Sequence, residues 1–140
     1  MKLKLSSFCL YVLLMASGVL VATTVRARPN PDQVGVCYVF QDDTQVQMEP
    51  CVILAGYGAG AWYVVLNWSN RSQTTINMIN FCPEGNYDER GFCGYTVDEQ
   101  DAEPYFRDVF LQITTIKDPD NMDCYRVGTT TNSICYRFNN

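Results

Sequence analysis

The chain has 140 residues, 15 Asp and Glu against 10 Lys and Arg, seven cysteines and no histidine. The absence of histidine excludes Ser-His and Cys-His catalytic pairs and His-bearing zinc sites. The acidic balance excludes a binder of phosphate backbones, which needs clustered Lys and Arg, so no nucleic-acid partner is expected.

Lys2 and Lys4 precede an apolar run from Phe8 to Ala22, with Val25-Arg26-Ala27 or Leu20-Val21-Ala22 as a small-residue cleavage site. This is the pattern of a signal peptide over residues 1–27. A bilayer-spanning helix needs about 20 consecutive apolar residues, and the run breaks at Thr23-Thr24. A secreted or periplasmic protein with no stable membrane anchor is therefore expected. Cleavage leaves residues 28–140, with seven basic residues against fifteen acidic ones and a net charge of −8. A chain of this size makes one domain that buries about two-thirds of its unfolded surface, so covalent staples help it. Cys9 leaves with the signal, and Cys37, Cys51, Cys82, Cys93, Cys124 and Cys135 remain. An even number in an exported chain predicts three disulfides. Without CxxC pairs or histidine no zinc is expected, and no other metal or cofactor is called for.

Residues 28–33 read as an extended lead-in, and residues 34–140 as a single β domain. Val34 to Phe40 and Val46 to Leu54, joined by Gln41-Asp42-Asp43-Thr44, predict a hairpin, with Pro50 at an edge or bulge. GYGAGAW, Gly56 to Trp62, then poses a choice. A dinucleotide fingerprint needs a helix after its glycines. These glycines instead lead into Ala61 to Trp68, rich in β-branched and aromatic residues, which reads as a central strand. They are therefore a bulge or bend feeding that strand, and Gly56, Tyr57, Gly58, Gly60 and Tyr63 form a candidate recognition turn.

Thr74 to Asn80 is the next strand, Phe81 to Gly94 a loop, and Tyr95-Thr96-Val97 a short strand. Asp98 to Pro104 reads as an acidic loop. Tyr105 to Ile116 reads as a strand from about Val109, preceded by helical character, with Val109, Leu111 and Ile113 facing inward. Asp118 to Asp123 is a turn. In the last hairpin, Cys124 opposite Cys135 aligns Tyr125 with Ile134 and Arg126 with Ser133, leaving Gly128 to Thr131 as the connection. The same hairpin logic pairs Cys37 with Cys51 and Cys82 with Cys93, although six cysteines admit many other connectivities. The expected fold is all-β, an antiparallel barrel or sandwich of about seven or eight strands stapled by three disulfides. Its expected core is Trp62, Val64, Leu66, Trp68, Ile76, Val109, Leu111 and Ile113.

No nucleophile and base pair is present, so no enzyme activity is expected. Carboxylate pairs such as Glu84 with Asp88, or Asp98 with Asp108, are the available raw material for glycosidase-type hydrolysis. Neither acidic stretch, 98–103 or 118–123, has the sixth-position glycine and twelfth-position glutamate of an EF-hand, and both read as solvated turns. Asn67-Trp68-Ser69 and Asn70-Arg71-Ser72 match the N-glycosylation acceptor pattern. The expected function is that of an exported binding or interaction module without chemistry of its own, for a protein or glycan partner. A cationic partner would suit its charge.

The segment Cys51 to Leu66, with Trp68, Thr74-Thr75-Ile76 and the terminal Cys-Tyr-Arg hairpin, resembles small exported bacterial β domains of uncharacterised function. That resemblance implies export and no particular activity. Gly58-Ala59-Gly60-Ala61-Trp62-Tyr63 is similar to the loop that bacterial inhibitors of C-type lysozyme present to their target, but lacks that loop's serine and basic residue. The alternatives carried forward are an inhibitor of a lysozyme-like cell-wall hydrolase and a structural component of an envelope or surface assembly.

Overall fold

The computed structural model describes residues 28–139. The expected signal peptide, residues 1–27, lies outside the described residues. The chain runs as β1 (Arg28–Pro29), β2 (Gln33–Gln41), β3 (Thr44–Gly58), β4 (Ala61–Asn67), β5 (Gln73–Ile79), β6 (Gly94–Val97), β7 (Gln100–Arg107), β8 (Ile113–Thr114), β9 (Met122–Val127) and β10 (Ser133–Phe138). Each long strand pairs antiparallel with the next, β10 pairs with β2, and β3 pairs with β4, so β2–β7, β9 and β10 close into an eight-stranded barrel. β1 adds to β3 and β8 to β7. Closure removes the free sheet edges that an open meander would expose.

Side chains alternate across each strand. Inward-facing Cys37, Ile53, Val64, Leu66, Ile76, Val97, Tyr125 and Tyr136 form one core cluster, with Trp68 at one end of it. The outer face of β2, β10, β9 and β7 carries a second cluster: Tyr38, Phe40, Met122, Cys124 and Cys135, with Leu111 packed on it. Arg107 completes this outer layer. It is 3% exposed, its guanidinium stacks 4.1 Å from the Phe40 ring centroid, and it donates to Asp43 and to the Leu111 carbonyl. A buried charge is tolerated when it is paired and hydrogen-bonded in this way.

The expected all-β barrel, the first and last hairpins and all three disulfides are present: Cys37–Cys51, Cys82–Cys93 and Cys124–Cys135. Cys124 and Cys135 are direct register partners. Cys37 instead faces Glu49, and Cys51 faces Gly35, so that bridge runs diagonally between strands. The Cys82–Cys93 bridge lies beyond the ends of β5 and β6, at the base of the loop between them. Three bridges are those of a protein folded in an oxidising compartment.

Four expectations are corrected. The acidic stretch from Asp98 is a two-residue turn, Asp98-Glu99, followed by strand β7; both turn residues have positive φ, 47° and 68°. Pro104 fits inside β7 because β6 pairs only as far as Asp101, leaving that edge unpaired. The strand expected from Val109 therefore ends at Arg107, without helix, and residues 108–112 form a turn. Val109 and Ile113 are 50% and 51% exposed, and Leu111 belongs to the outer cluster, not the barrel interior. Trp62, at the far end of β4, is 41% exposed. The glycines of GYGAGAW are no bend before a strand: Gly58 ends β3, Ala59 and Gly60 make a two-residue turn with φ of 51° and 78°, and β4 begins at Ala61. Positive φ at both positions matches the twist of a tight hairpin.

The barrel has two unlike ends. At the turn end lie Asp42-Asp43, Ser69 to Ser72, Asp98-Glu99 and the β9–β10 connection, laced together by hydrogen bonds. Thr131 donates to Asp42, the Thr75 N–H to Asp98 Oδ1 and the Ser69 N–H to Glu49 Oε1. Trp68 stops this end, its indole N–H donating to Thr74 Oγ1 at 3.0 Å. At the loop end lie the Ala59-Gly60 turn and the long segments 80–93 and 108–121.

Candidate functional site

Near the loop end the inward positions of three adjacent strands are Phe106 on β7, Asp123 on β9 and Tyr136 on β10. Phe106 registers with Asp123, and Asp123 with Tyr136. They line a concavity of about 490 Å³, walled further by Lys117, Asp118, Arg137 and Phe138. A second hollow of about 480 Å³ opens beside it between the 88–90 segment and Pro104, Phe106 and Thr114. It lies where β7 has parted from β6.

Beneath the mouth runs a chain of five rings. Phe92, Tyr95, Tyr125, Tyr136 and Phe138 succeed one another at centroid distances of 5.7, 5.9, 6.4 and 5.6 Å. Such offset and edge-on contacts suit the charge distribution of aromatic rings. The Tyr125 hydroxyl donates to Met78 Sδ at 3.6 Å. Burial raises the hydroxyl pKa values of Tyr95, Tyr125 and Tyr136, the Asp88 carboxylate adding to the effect at Tyr95. All three remain protonated donors at physiological pH.

Asp88 anchors the loop that roofs this chain of rings. Its Oδ1 accepts the N–H groups of Arg90 and Phe92, each at 2.9 Å, and its Oδ2 accepts the Tyr95 hydroxyl at 2.6 Å. Burial pushes its carboxyl pKa up, but these bonds and the Arg90 charge outweigh that and hold it low. Asp123 is opposite in character: burial raises its pKa, against the partial counterweight of Arg90 and Lys117. Its side chain is 38% exposed, and Arg90 Nη1 lies 3.8 Å away. Arg90 also stacks on Phe106, 3.9 Å from the ring centroid.

The candidate recognition turn is at this same end. Tyr57 and Trp62 register across β3 and β4 with rings 5.6 Å apart, and Tyr57 is 40% exposed. Gly56 is buried opposite half-buried Tyr63, and a Cβ on Gly60 would stand 3.3 Å from Phe81. The carboxylate pairs fare differently. Asp98 precedes β7 and Asp108 succeeds it, so a full strand, about 26 Å of chain, keeps them at opposite ends of the barrel. Asp88 is engaged in loop hydrogen bonds, and Glu84 lines a separate hollow with Cys82, Pro83, Asn86 and Cys93. Of the two glycosylation motifs, Asn67 has its amide bound to the Val52 carbonyl and to Gln73, whereas Asn70 sits in an exposed turn.

The sequence did not mark Arg90, Phe106, Asp123 or Tyr136 as a site. Their one signal was alternation: Asp123, Tyr125 and Val127 in β9, like Ile134, Tyr136 and Phe138 in β10, share a face. Compared with protein families, characterised proteins and solved structures, the chain matches none.

Proposed function

We propose that this is an exported binding module that takes its partner at the loop end of the barrel and carries out no covalent chemistry. The observation that supports it is the contrast between a plugged, hydrogen-bonded turn end and a loop end with a concave, ring-lined mouth. Binding sites are concave and largely apolar, with a few placed polar groups, and often lie in the mouths of barrels. The three disulfides suit a secreted or periplasmic life, and the acidic charge suits a cationic or neutral partner over an anionic one.

The test is capture from the native medium or envelope on immobilised wild-type protein and on Phe138→Ser. A partner retained by the first and lost from the second supports the reading. Equal retention by both removes the mouth from the function. Turnover of a glycan or ester panel, abolished by an acid-to-amide change, would sink the claim that no chemistry occurs.

A second reading, inhibition of a lysozyme-like cell-wall hydrolase, is favoured by the projecting Ala59-Gly60 turn with Tyr57 and Trp62 exposed at its base. Unchanged cell-wall lysis with the protein in molar excess removes it.

A further inference from the structure

Arg90, which lines the second hollow, stands at the edge of the mouth as a tethered cation. Its guanidinium covers the Phe106 ring and approaches Asp123, while the loop that carries it is fixed by other groups: the Asp88 bonds and the Cys82–Cys93 bridge. Loop and seat are therefore separable: the loop supplies a cation, and the ring and carboxylate receive it. The seat is open: the Asp123 side chain is 38% exposed and has no close partner among the described residues. A charge-assisted N–H···O bond is about 2.7–2.9 Å long, and Arg90 stops at 3.8 Å from Asp123. Among the described residues no side chain or backbone group hydrogen-bonds the Asp123 carboxylate. A carboxylate that is hydrogen-bonded by none of these groups and is bounded by Phe106, Tyr136 and Phe138 suits a cation with an apolar body over a fully hydrated inorganic ion.

We infer that the mouth receives a small organic amine, its ammonium on Asp123 and its apolar part against Phe106, Tyr136 and Phe138, in competition with Arg90. This rests on the mouth being the binding site and narrows what binds there. A concavity of about 490 Å³ accommodates an amine with one aromatic ring. The net charge of −8 on residues 28–140 enriches cations near the surface. Lys117 and Arg137 line the same wall and define the rival, an anion, which would draw on Arg90 as a partner instead of displacing it.

The two signs of ligand respond oppositely to the same substitutions, which makes the test decisive. The oxidised, secreted protein is titrated calorimetrically with phenethylamine, 2-phenylethanol and phenylacetate, alongside Asp123→Asn and Arg90→Ala, with near-ultraviolet circular dichroism confirming the fold of each. Phenethylamine is expected to bind better than the alcohol, to lose at least about tenfold on Asp123→Asn and to gain about tenfold on Arg90→Ala. Should Arg90→Ala fold poorly, Arg90→Gln removes the charge while keeping the chain length, and a gain is again expected. Preference for phenylacetate, weakened by Arg90→Ala, overturns the inference and leaves the mouth as a binding site. Amine affinity indifferent to Asp123→Asn also overturns it. So does failure of all three probes, and the wider reading then rests on the capture experiment with Phe138→Ser.

Discussion

The two ends of the barrel are built from the same strands and differ in how their polar groups are used. At the turn end carboxylates are consumed by structure: Asp42, Glu49 and Asp98 accept hydrogen bonds from neighbouring strands or turns, and Asp43 accepts one from Arg107 in the outer layer. At the loop end Asp88, Asp108 and Asp118 are used the same way, but Asp123 has no donor among the described residues, and rings are left against open space. The difference teaches that one end is held rigid while the other retains unspent interaction energy, a division expected of a binding scaffold.

Substitutions at each end should separate stability from binding. The largest effect belongs to Trp68→Ala, which removes the plug of the turn end and orphans Thr74: a loss of about 3–5 kcal/mol is expected in denaturant unfolding. Partner affinity of the folded fraction should not change. A loss below about 1 kcal/mol would mean that the turn end is not where rigidity lies. Gly35→Ala comes next and marks how far rigidity reaches toward the mouth. Its Cβ would stand 2.5 Å from the Arg137 carbonyl oxygen and closer still to Ile53 Cδ1. Such overpacking costs about 1–3 kcal/mol, read as a lowered melting temperature.

Asp88→Asn should cost about 1 kcal/mol, because its bonds lie near solvent. Its pH dependence is diagnostic. The folded carboxyl value is lowered, so Asp88 adds stability above the unfolded carboxylate value, and that stability is lost as pH falls through the folded value. The gap between wild type and variant should therefore close in acid. Asp123→Asn is the smallest effect and has the opposite sign. A raised folded value favours folding at low pH and becomes a liability as pH rises through it, so the variant should melt slightly higher than wild type at neutral pH and match it in acid. A variant that melts lower at neutral pH would show that Arg90 satisfies Asp123 after all.

Much of the frame was legible in the sequence. Alternation located β2, β3, β4 and β5, and counting inward from Cys124 and Cys135 gave the register of the last hairpin. β7 was missed because Asp101, Glu103 and Pro104 disfavour strands on propensity alone. The alternation was there: Ala102, Pro104 and Phe106 face inward, and Asp101 and Glu103 face water. The turn before it was missed because Asp98 and Glu99 adopt positive φ without glycine. Asp98 is steadied there by paired bonds to Thr75, its N–H donating to the Thr75 carbonyl and its carboxylate accepting the Thr75 N–H. The mouth was not legible because it assembles from β7, β9, β10 and the 80–93 loop, and no local pattern declares which strands meet.

The seam between β2 and β10 also governs how the ring forms. Every other wall contact except β7–β9 joins strands separated by a single turn or loop, whereas this one joins the first long strand to the last. Bringing them together costs about 2 kcal/mol more chain entropy than closing a hairpin. Cys37–Cys51 ties β2 to β3, and Cys124–Cys135 ties β9 to β10, so each flank of the seam is a covalently braced hairpin. Oxidation before closure would leave two stiff half-edges to zip together, from Ser133 against Phe40 to Phe138 against Gly35. The order of thiol oxidation and ring closure thus sets whether the barrel shuts in one concerted step or must search for its last partner.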